Sequence, residues 1–275
     1  MPKRIAFLGP AGTFTEEAAL QYAPGADFQA FPSIPAVALA VQTGSAQEGI
    51  VPIENSLEGS VTDTLDILIN ERIFINRELV LPIEHCLLFQ PGVKASDIKI
   101  IYSHPQALAQ CRRFLERCFP TADLIASFST AAAVLDAKES SSTAAAIAPK
   151  RTSELYNVEV FAEGIQDNNA NATRFVVLAD TDHPPTGQDK TSFCLSFHED
   201  RPGLLYSTMG EFAIRNINLV KIESRPTKQS LGQYIFLIDC EGHRKTSPLK
   251  ETIETLQPKT SMLKIFGSYP SWEAI

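Results

Sequence analysis

The chain has 275 residues, of which 44% are hydrophobic and 20% charged. That is enough apolar material for one large or two unequal folded domains, and it excludes a disordered chain. The net charge is −8, from 24 basic and 32 acidic residues, which argues against a general nucleic-acid or anionic-membrane binder, since both need a basic face. The excess is local: residues 1–180 hold 13 basic and 21 acidic residues, and residues 181–275 hold 11 of each. The cysteines, Cys86, Cys111, Cys118, Cys194 and Cys240, are odd in number and form no C-x-x-C. A disulfide framework or zinc knuckle is therefore not expected, and Cys111 and Cys118 read as small core residues on one helix face. The histidines, His85, His104, His183, His198 and His243, form no H-x-x-x-H pair, so no metal site is expected. The start MPKRIAFLG lacks the apolar stretch of a signal peptide, and no run reaches the ~18 residues of a membrane span. These features set the expectation of a soluble, reduced, cytoplasmic protein.

In chain order, short apolar runs recur and each leads into polar residues or a helix start. Ile5–Leu8 precedes GPAGTFTEEAA, Gly49–Ile53 precedes ENSLEGSVTDTLDIL, and Ile98–Tyr102 precedes SHPQALAQCRRFLERC. Ala144–Ala148 precedes PKRTSELY, while Val158–Ala162 and Phe175–Ala179 flank EGIQDNNANATR. Such alternation predicts α/β units with largely parallel sheets, whose ligands bind beyond the carboxyl ends of the strands. The Ser-rich stretch 138–143 reads as a loop. The segment 181-TDHPPTGQDKT-191 reads as a linker, at the place where the charge balance changes. Beyond it, strands over Thr191–His198, Asn218–Arg225, Gln233–Cys240 and Ser261–Gly267 and helices over Pro202–Arg215 and Leu249–Leu256 are expected. A turn at KQSLG joins the middle strands, and the order βαββαβ is that of a ferredoxin-like module.

Four polar constellations end the strands of the longer part. In 9-GPAGTFTEEA-18 the helix start offers free backbone N–H groups to an anion, or Thr13 and Glu16 form a capping box; both readings stand. In 51-VPIENSLEGS-60, Glu54, Asn55 and Ser56 give an ionisable group, an amide and a hydroxyl at a strand end, before a helix capped at Ser60. In 103-SHPQALAQC-111, Ser103 or His104 ends a strand and His104 reads as a helix cap. Pro105 opens the helix, Gln106 and Gln110 share a face, and Leu108, Cys111, Leu115 and Cys118 form the apolar stripe. In 168-NNANATRF-175, Thr173 offers a hydroxyl and Arg174 a planar fork for a carboxylate. An arginine entering an apolar strand needs an anionic partner.

Taken in this order, GPAGTFTEEA, VPIENSLEG, SHPQALAQC and NATRF resemble the prephenate dehydratase family, over most of residues 3–180. The second part resembles an ACT regulatory domain, through 202-PGLLYSTMGEFAIRNINLVKIESRP-226. The resemblance implies a periplasmic-binding-protein-like catalytic domain over 1–180, with one lobe from about 1–80 and 160–180 and another from about 81–159. A linker at 181–189 and an ACT domain at 190–275 would follow. With no chorismate mutase segment preceding it, the chain resembles the monofunctional form. The implied reaction removes water and CO2 from prephenate, a dianion, to give phenylpyruvate, and the aromatisation that drives it requires no cofactor. The resemblance points to Thr173 as essential, hydrogen-bonding the departing hydroxyl. Glu54 is a candidate proton source if burial raises its pKa. Asn55, Ser56, Ser103 and Gln110 would be the orienting amides and hydroxyls, and Gln106 would also bind substrate. Arg174, beside Phe175, and the helix start at Gly12, Thr13 and Thr15 would hold the two carboxylates. The ACT module implies L-phenylalanine as feedback effector at Gly203, Leu204, Leu205, Glu223, Ser224, Arg225 and Pro226, with Leu204 standing where family members often carry alanine. It also implies a homodimer or homotetramer. The rival readings are an arogenate dehydratase, decided by comparing kcat/KM for the two substrates, and a non-catalytic solute-binding protein.

Overall fold

The computed structural model describes residues 2–199, 201–227 and 233–272. The chain begins with β1 (Arg4–Leu8), α1 (Phe14–Tyr22), β2 (Asp27–Phe31), α2 (Ile34–Gln42), β3 (Glu48–Asn55), β4 (Gly59–Ser60), α3 (Thr62–Asn70) and β5 (Phe74–Pro82). It continues through β6 (Cys86–Phe89), β7 (Ile100–Ser103), α4 (Pro105–Gln110), α5 (Arg112–Cys118), β8 (Asp123–Ala126), α6 (Thr130–Glu139) and β9 (Ala144–Ala148). Then come α7 (Arg151–Tyr156), β10 (Glu159–Ala162) and β11 (Ala172–Ala179). The last part is β12 (Asp189–Ser196), α8 (Leu204–Ala213), β13 (Leu219–Pro226), β14 (Tyr234–Glu241), α9 (Leu249–Leu256) and β15 (Met262–Pro270).

One sheet has the order β2-β1-β3-β11-β5, with β4 on β3, and a second has the order β10-β6-β9-β7-β8. The second sheet is apolar on both faces. Leu87, Phe89, Ile101, Cys111 and Leu115 pack on one side, and Cys86, Leu88, Ala133, Val134 and Ala146 on the other. This is why AAAIA in β9, buried throughout, forms a strand: a continuous small apolar run fits a strand covered twice. Helix α4 begins where Pro105 takes a first-turn position and the His104 ring accepts from the Gln106 N–H, as the motif predicts. Helix α6 is capped by Ser129, whose hydroxyl accepts from the Ala132 N–H.

The third sheet has the order β13-β14-β12-β15, with its three pairings antiparallel. This is the βαββαβ ferredoxin-like arrangement, with Phe193, Leu195, Phe212, Ile238, Leu249 and Leu256 in its core. By contact density the chain divides into two units. One holds the chain up to Val37 with Ile50–Val61 and Val80–Phe175; the other holds Ala38–Gly49, Thr62–Leu79 and the chain from Val176 on. Among the described residues, no helix is long and apolar enough to cross a membrane.

Several expectations need correction. The second sheet is mixed: β7 runs parallel to β8 and β9, but β6 is antiparallel to β9 and β10. Because β10 pairs with β6, the chain returns to the first sheet at Ala172, later than 160. The single helix expected after His104 breaks at Cys111, whose φ of −110° and ψ of 16° are not helical. The phase shift takes Cys118 off the buried stripe, and it is exposed. Ser60 lies in β4, and α3 starts at Thr62 rather than being capped at Ser60. The KQSLG turn lies outside the described residues.

Candidate active site

Four stretches of one unit meet around a chain of neutral side chains. Asn55 ends β3, and its Nδ2 donates to Asn171 Oδ1 at 2.8 Å, to Thr173 Oγ1 at 2.9 Å and to the Ala172 carbonyl at 3.2 Å. Its Oδ1 accepts from the N–H groups of Leu57 and Glu58, a local turn that fixes the side chain just past the strand. Asn171 Nδ2 donates onward to Gln110 Oε1 at 2.9 Å. The same oxygen lies 3.0 Å from His85 Nε2. Asn55, Asn171, Thr173 and His85 are all buried, so each bond is protected from competing water and an unpaired group there would be costly.

The protonation state of His85 follows from its surroundings. Burial lowers its pKa from the usual histidine value, against a smaller opposing effect of the Gln110 bond. Its Nε2 faces an oxygen that can only accept, so the neutral ring carries its proton there. Nδ1 is buried without a hydrogen-bond partner, and the Phe14 ring sits edge-on at a centroid distance of 5.7 Å. The Gln110 Nε2 atom is likewise buried without a partner. Thr173 Oγ1 accepts from Asn55, and among the described residues no acceptor takes its proton.

Of the residues singled out from sequence, Glu54, Asn55, Ser56, Gln110, Thr173 and Arg174 come together. Ser56 clamps the start of β11: its hydroxyl donates to the Ala170 carbonyl and accepts from the Ala172 N–H. Arg174 Nη2 lies 3.4 Å from Glu54 Oε2, with the Glu54 side chain 32% exposed. Glu54 is thus half-buried beside a cation. Phe175 is fully packed in the core. Ser103 is buried and donates to the Ile147 carbonyl at 2.7 Å, so its proton is spent inside the second sheet. Gln106 follows the His104 cap, and its backbone N–H is taken by that ring.

The helix start at Gly12–Thr15 is also used internally. The Gly12 N–H donates to Glu16 Oε2 at 2.7 Å, and Thr13 donates to the Leu8 carbonyl and accepts from the Glu16 N–H. Thr15 is buried. The same Glu16 oxygen receives Arg151 Nε at 3.0 Å, and the Tyr156 hydroxyl donates to the Ala11 carbonyl. A capping residue thus doubles as an anchor for α7.

Sequence reasoning missed His85, Asn171 and the Glu16–Arg151 pair. Asn171 stood in a quoted motif but as one of three asparagines. His85 carried no local signal, because its partner lies 25 positions away.

In the other unit, a cavity of about 480 Å³ is lined by Gly203, Leu204, Leu205 and Tyr206 together with Arg201 and Phe236. A second, of about 470 Å³, is lined by Arg225 and Pro226 together with Asp66. Arg225 is ion-paired with Asp66, and Glu223 with Lys221 at 3.3 Å. Ser224 lies in β13 between them.

Strand-end amides beside an arginine, with a ferredoxin-like module further along the chain, define the class as an α/β enzyme for a small anionic metabolite. The model of the prephenate dehydratase family matches residues 5–183, and that of the ACT domain matches 195–257. The chain belongs to the prephenate dehydratase family. It is 39% identical over 269 residues to the bifunctional chorismate mutase/prephenate dehydratase of Aquifex aeolicus, covering 97% of this chain and 73% of that one. It is similar to the structure of prephenate dehydratase in complex with L-Phe from Arthrobacter aurescens, with a TM-score of 0.90, 37% identity and coverage of 99% and 92%. It is also similar to GqqA, described as a quorum-quenching acylase, with a TM-score of 0.88, 30% identity and 98% of each chain covered.

Proposed function

We propose that the chain converts prephenate to phenylpyruvate, water and CO2, with Thr173 hydrogen-bonding the departing ring hydroxyl. The observation that carries this is the bond from Asn55 Nδ2 to Thr173 Oγ1. It occupies the threonine oxygen as an acceptor and leaves the O–H to donate. As the ring carboxylate leaves as CO2, its bonding electrons complete the aromatic ring and expel the hydroxyl, which takes up a proton to leave as water. A donor aimed at that oxygen stabilises charge that develops only in the transition state. Gln110 and Ser56 orient the substrate and the β11 start, respectively. Arg174 pairs with one substrate carboxylate, and its contact with Glu54 aims the guanidinium before substrate arrives. Of the remaining sequence candidates, Ser103 and Phe175 support the site from within the core rather than by contact with substrate.

Thr173→Ala tests this. Steady-state turnover of prephenate should fall by orders of magnitude while the thermal unfolding midpoint stays near that of the parent; near-normal turnover would sink the assignment. An acylase reading requires a nucleophile beside a base. Thr173 is bonded to an amide and Ser103 to a backbone carbonyl, so dehydration is the better supported activity.

We infer further that residues 1–180 are catalytic, 181–189 a linker and 190–275 regulatory, which the spans of the two family models support. L-phenylalanine would bind at Gly203, Leu204 and Leu205 together with Glu223, Ser224, Arg225 and Pro226, in a homodimer or homotetramer working in the cytoplasm. The cavity beside Gly203–Tyr206 supports that effector site. Calorimetric titration of the full chain with phenylalanine tests it, and absence of binding heat at millimolar effector would count against it.

A further inference from the structure

We propose that His85 and Asn171 are positioning residues for the dehydration, fixing the Gln110 carboxamide so that its N–H bonds remain as donors for the substrate. The proposal rests on the reading that Thr173 and Gln110 act on the substrate.

The two residues occupy the two crossings of the chain between the first and second sheets. His85 lies between β5 and β6, and Asn171 immediately precedes β11. The crossings are stitched to each other. The His85 N–H donates to Gln166 Oε1 at 3.0 Å, and the His85 carbonyl accepts from Ile165 N–H at 3.1 Å. The Ile83 N–H donates to the Asn171 carbonyl at 2.9 Å. Both side chains therefore sit on backbone that is itself held.

Their side chains converge on one oxygen. Gln110 Oε1 receives Asn171 Nδ2 at 2.9 Å and lies 3.0 Å from His85 Nε2. Reversing the Gln110 amide would set its NH2 group against the Asn171 NH2, whose own orientation Asn55 fixes, so one orientation is selected and the neutral His85 ring then carries its proton toward that oxygen. In that orientation Nε2 is buried and unpartnered, with two N–H bonds still to give. Asn171 does more than aim Gln110. Its Oδ1 accepts from Asn55 Nδ2, the nitrogen that also donates to Thr173. One carboxamide thus connects Gln110, on a helix of the second sheet, to Asn55 and Thr173 on strands of the first. Only a group with a donor and an acceptor at fixed separation can do this. His85 serves as a neutral donor, a state that burial favours.

Four variants of the full chain test the proposal, with kcat and KM for prephenate and the thermal unfolding midpoint measured for each. His85→Phe removes the donor and should lower kcat about 10–100-fold, with KM within about threefold. His85→Gln carries an amide nitrogen to the place of imidazole Nε2 and should restore kcat to within about threefold of the parent. Asn171→Asp is nearly isosteric but sets an oxygen against Gln110 Oε1, and should lower kcat at least as far as His85→Phe. A folded His85→Phe with parental kcat, a His85→Gln as slow as His85→Phe, or an Asn171→Asp with parental kcat would each overturn the proposal. Should His85→Phe fail to fold, Asn171→Asp decides: a slow, folded variant supports it and a parental one overturns it. Thr173→Ala separates the two readings. Normal turnover there removes the assignment of the site and this proposal with it, whereas an inactive Thr173→Ala beside a fully active His85→Phe removes only the positioning role.

Discussion

The candidate active site and the contacts around the ACT-side strands solve the same problem, holding distant segments together, with opposite chemistry. Around Thr173 the ties are neutral: Asn55, Asn171, Gln110 and His85 in series. In the other unit they are ionic. Lys190 meets Glu78 at 2.7 Å, Arg244 meets Asp182 at 2.6 Å, and Arg225 pairs with Asp66 on α3. Lys264 Nζ donates to the Ile69 and Glu71 carbonyls at the C-terminal end of that helix, where a cation also suits the helix dipole. The difference follows from what each place must do. A carboxamide has a donor end and an acceptor end, so a chain of them fixes rotation as well as distance. An ion pair is strong but poorly directional, and where it is exposed salt screens it. A dianionic substrate also meets fewer competing charges among amides, which matters in a region of residues already net negative.

Asn55→Ala would do most to break the comparison. It removes the branch point of the neutral chain and should lower kcat for prephenate about 10²–10³-fold, read by steady-state kinetics, with a much smaller change in melting temperature. Its ionic counterpart is Lys190→Met. Glu78 has a side chain only 1% exposed, and removing its cation should cost about 3 kcal/mol of stability, read by denaturant unfolding, while kcat per folded molecule stays near the parent. Next is Arg174→Lys. An ammonium cannot reproduce the two-pronged fork, so KM should rise about tenfold with kcat changing less; an unchanged KM would remove Arg174 from substrate binding. The pH dependence is smaller. His85 and His104 have pKa values lowered by burial, so the unfolded chain binds their protons first as pH falls. Their contribution to stability is full above about pH 6.5 and is lost as pH drops below it. His85→Gln should flatten that loss in melting curves taken between pH 7 and 5. The smallest effect belongs to Arg112→Ala. Its pair with Glu116 is exposed, at 75% and 63%, and no change in melting temperature should be measurable.

Much of this was legible in sequence, for identifiable reasons. Asn55, Ser56, Thr173 and Arg174 announced themselves because each follows or enters an apolar run where a polar side chain needs an explanation. The ferredoxin-like order was readable because its strands alternate and its helices keep their spacing. What was hidden depended on partners far along the chain. His85 needs Gln110, and Asn171 needs both Gln110 and Asn55, so neither stood out from an ordinary loop. Strand direction was hidden too. CLLF in β6 was not among the apolar runs read as strands, and such a run in any case does not say that its neighbour β9 is antiparallel. The break at Cys111 was masked because the apolar spacing of 108, 111 and 115 continues across it.

Gly267 shows how close the two chain segments in the ACT-bearing unit come. A side-chain carbon there would collide with the backbone of Ile75, so Gly267→Ala should lower the melting temperature by displacing β15 from β5.

The neutral chain around Thr173 has a last consequence, for protons. An amide oxygen accepts a hydrogen bond and an amide nitrogen donates one, but neither exchanges its role at neutral pH. The series from His85 through Gln110, Asn171 and Asn55 to Thr173 therefore passes on orientation while acting as an insulator to protons. On the proposed reading, a proton placed on the departing hydroxyl is not replenished along it from the imidazole, which leaves Glu54, the substrate or solvent to supply it.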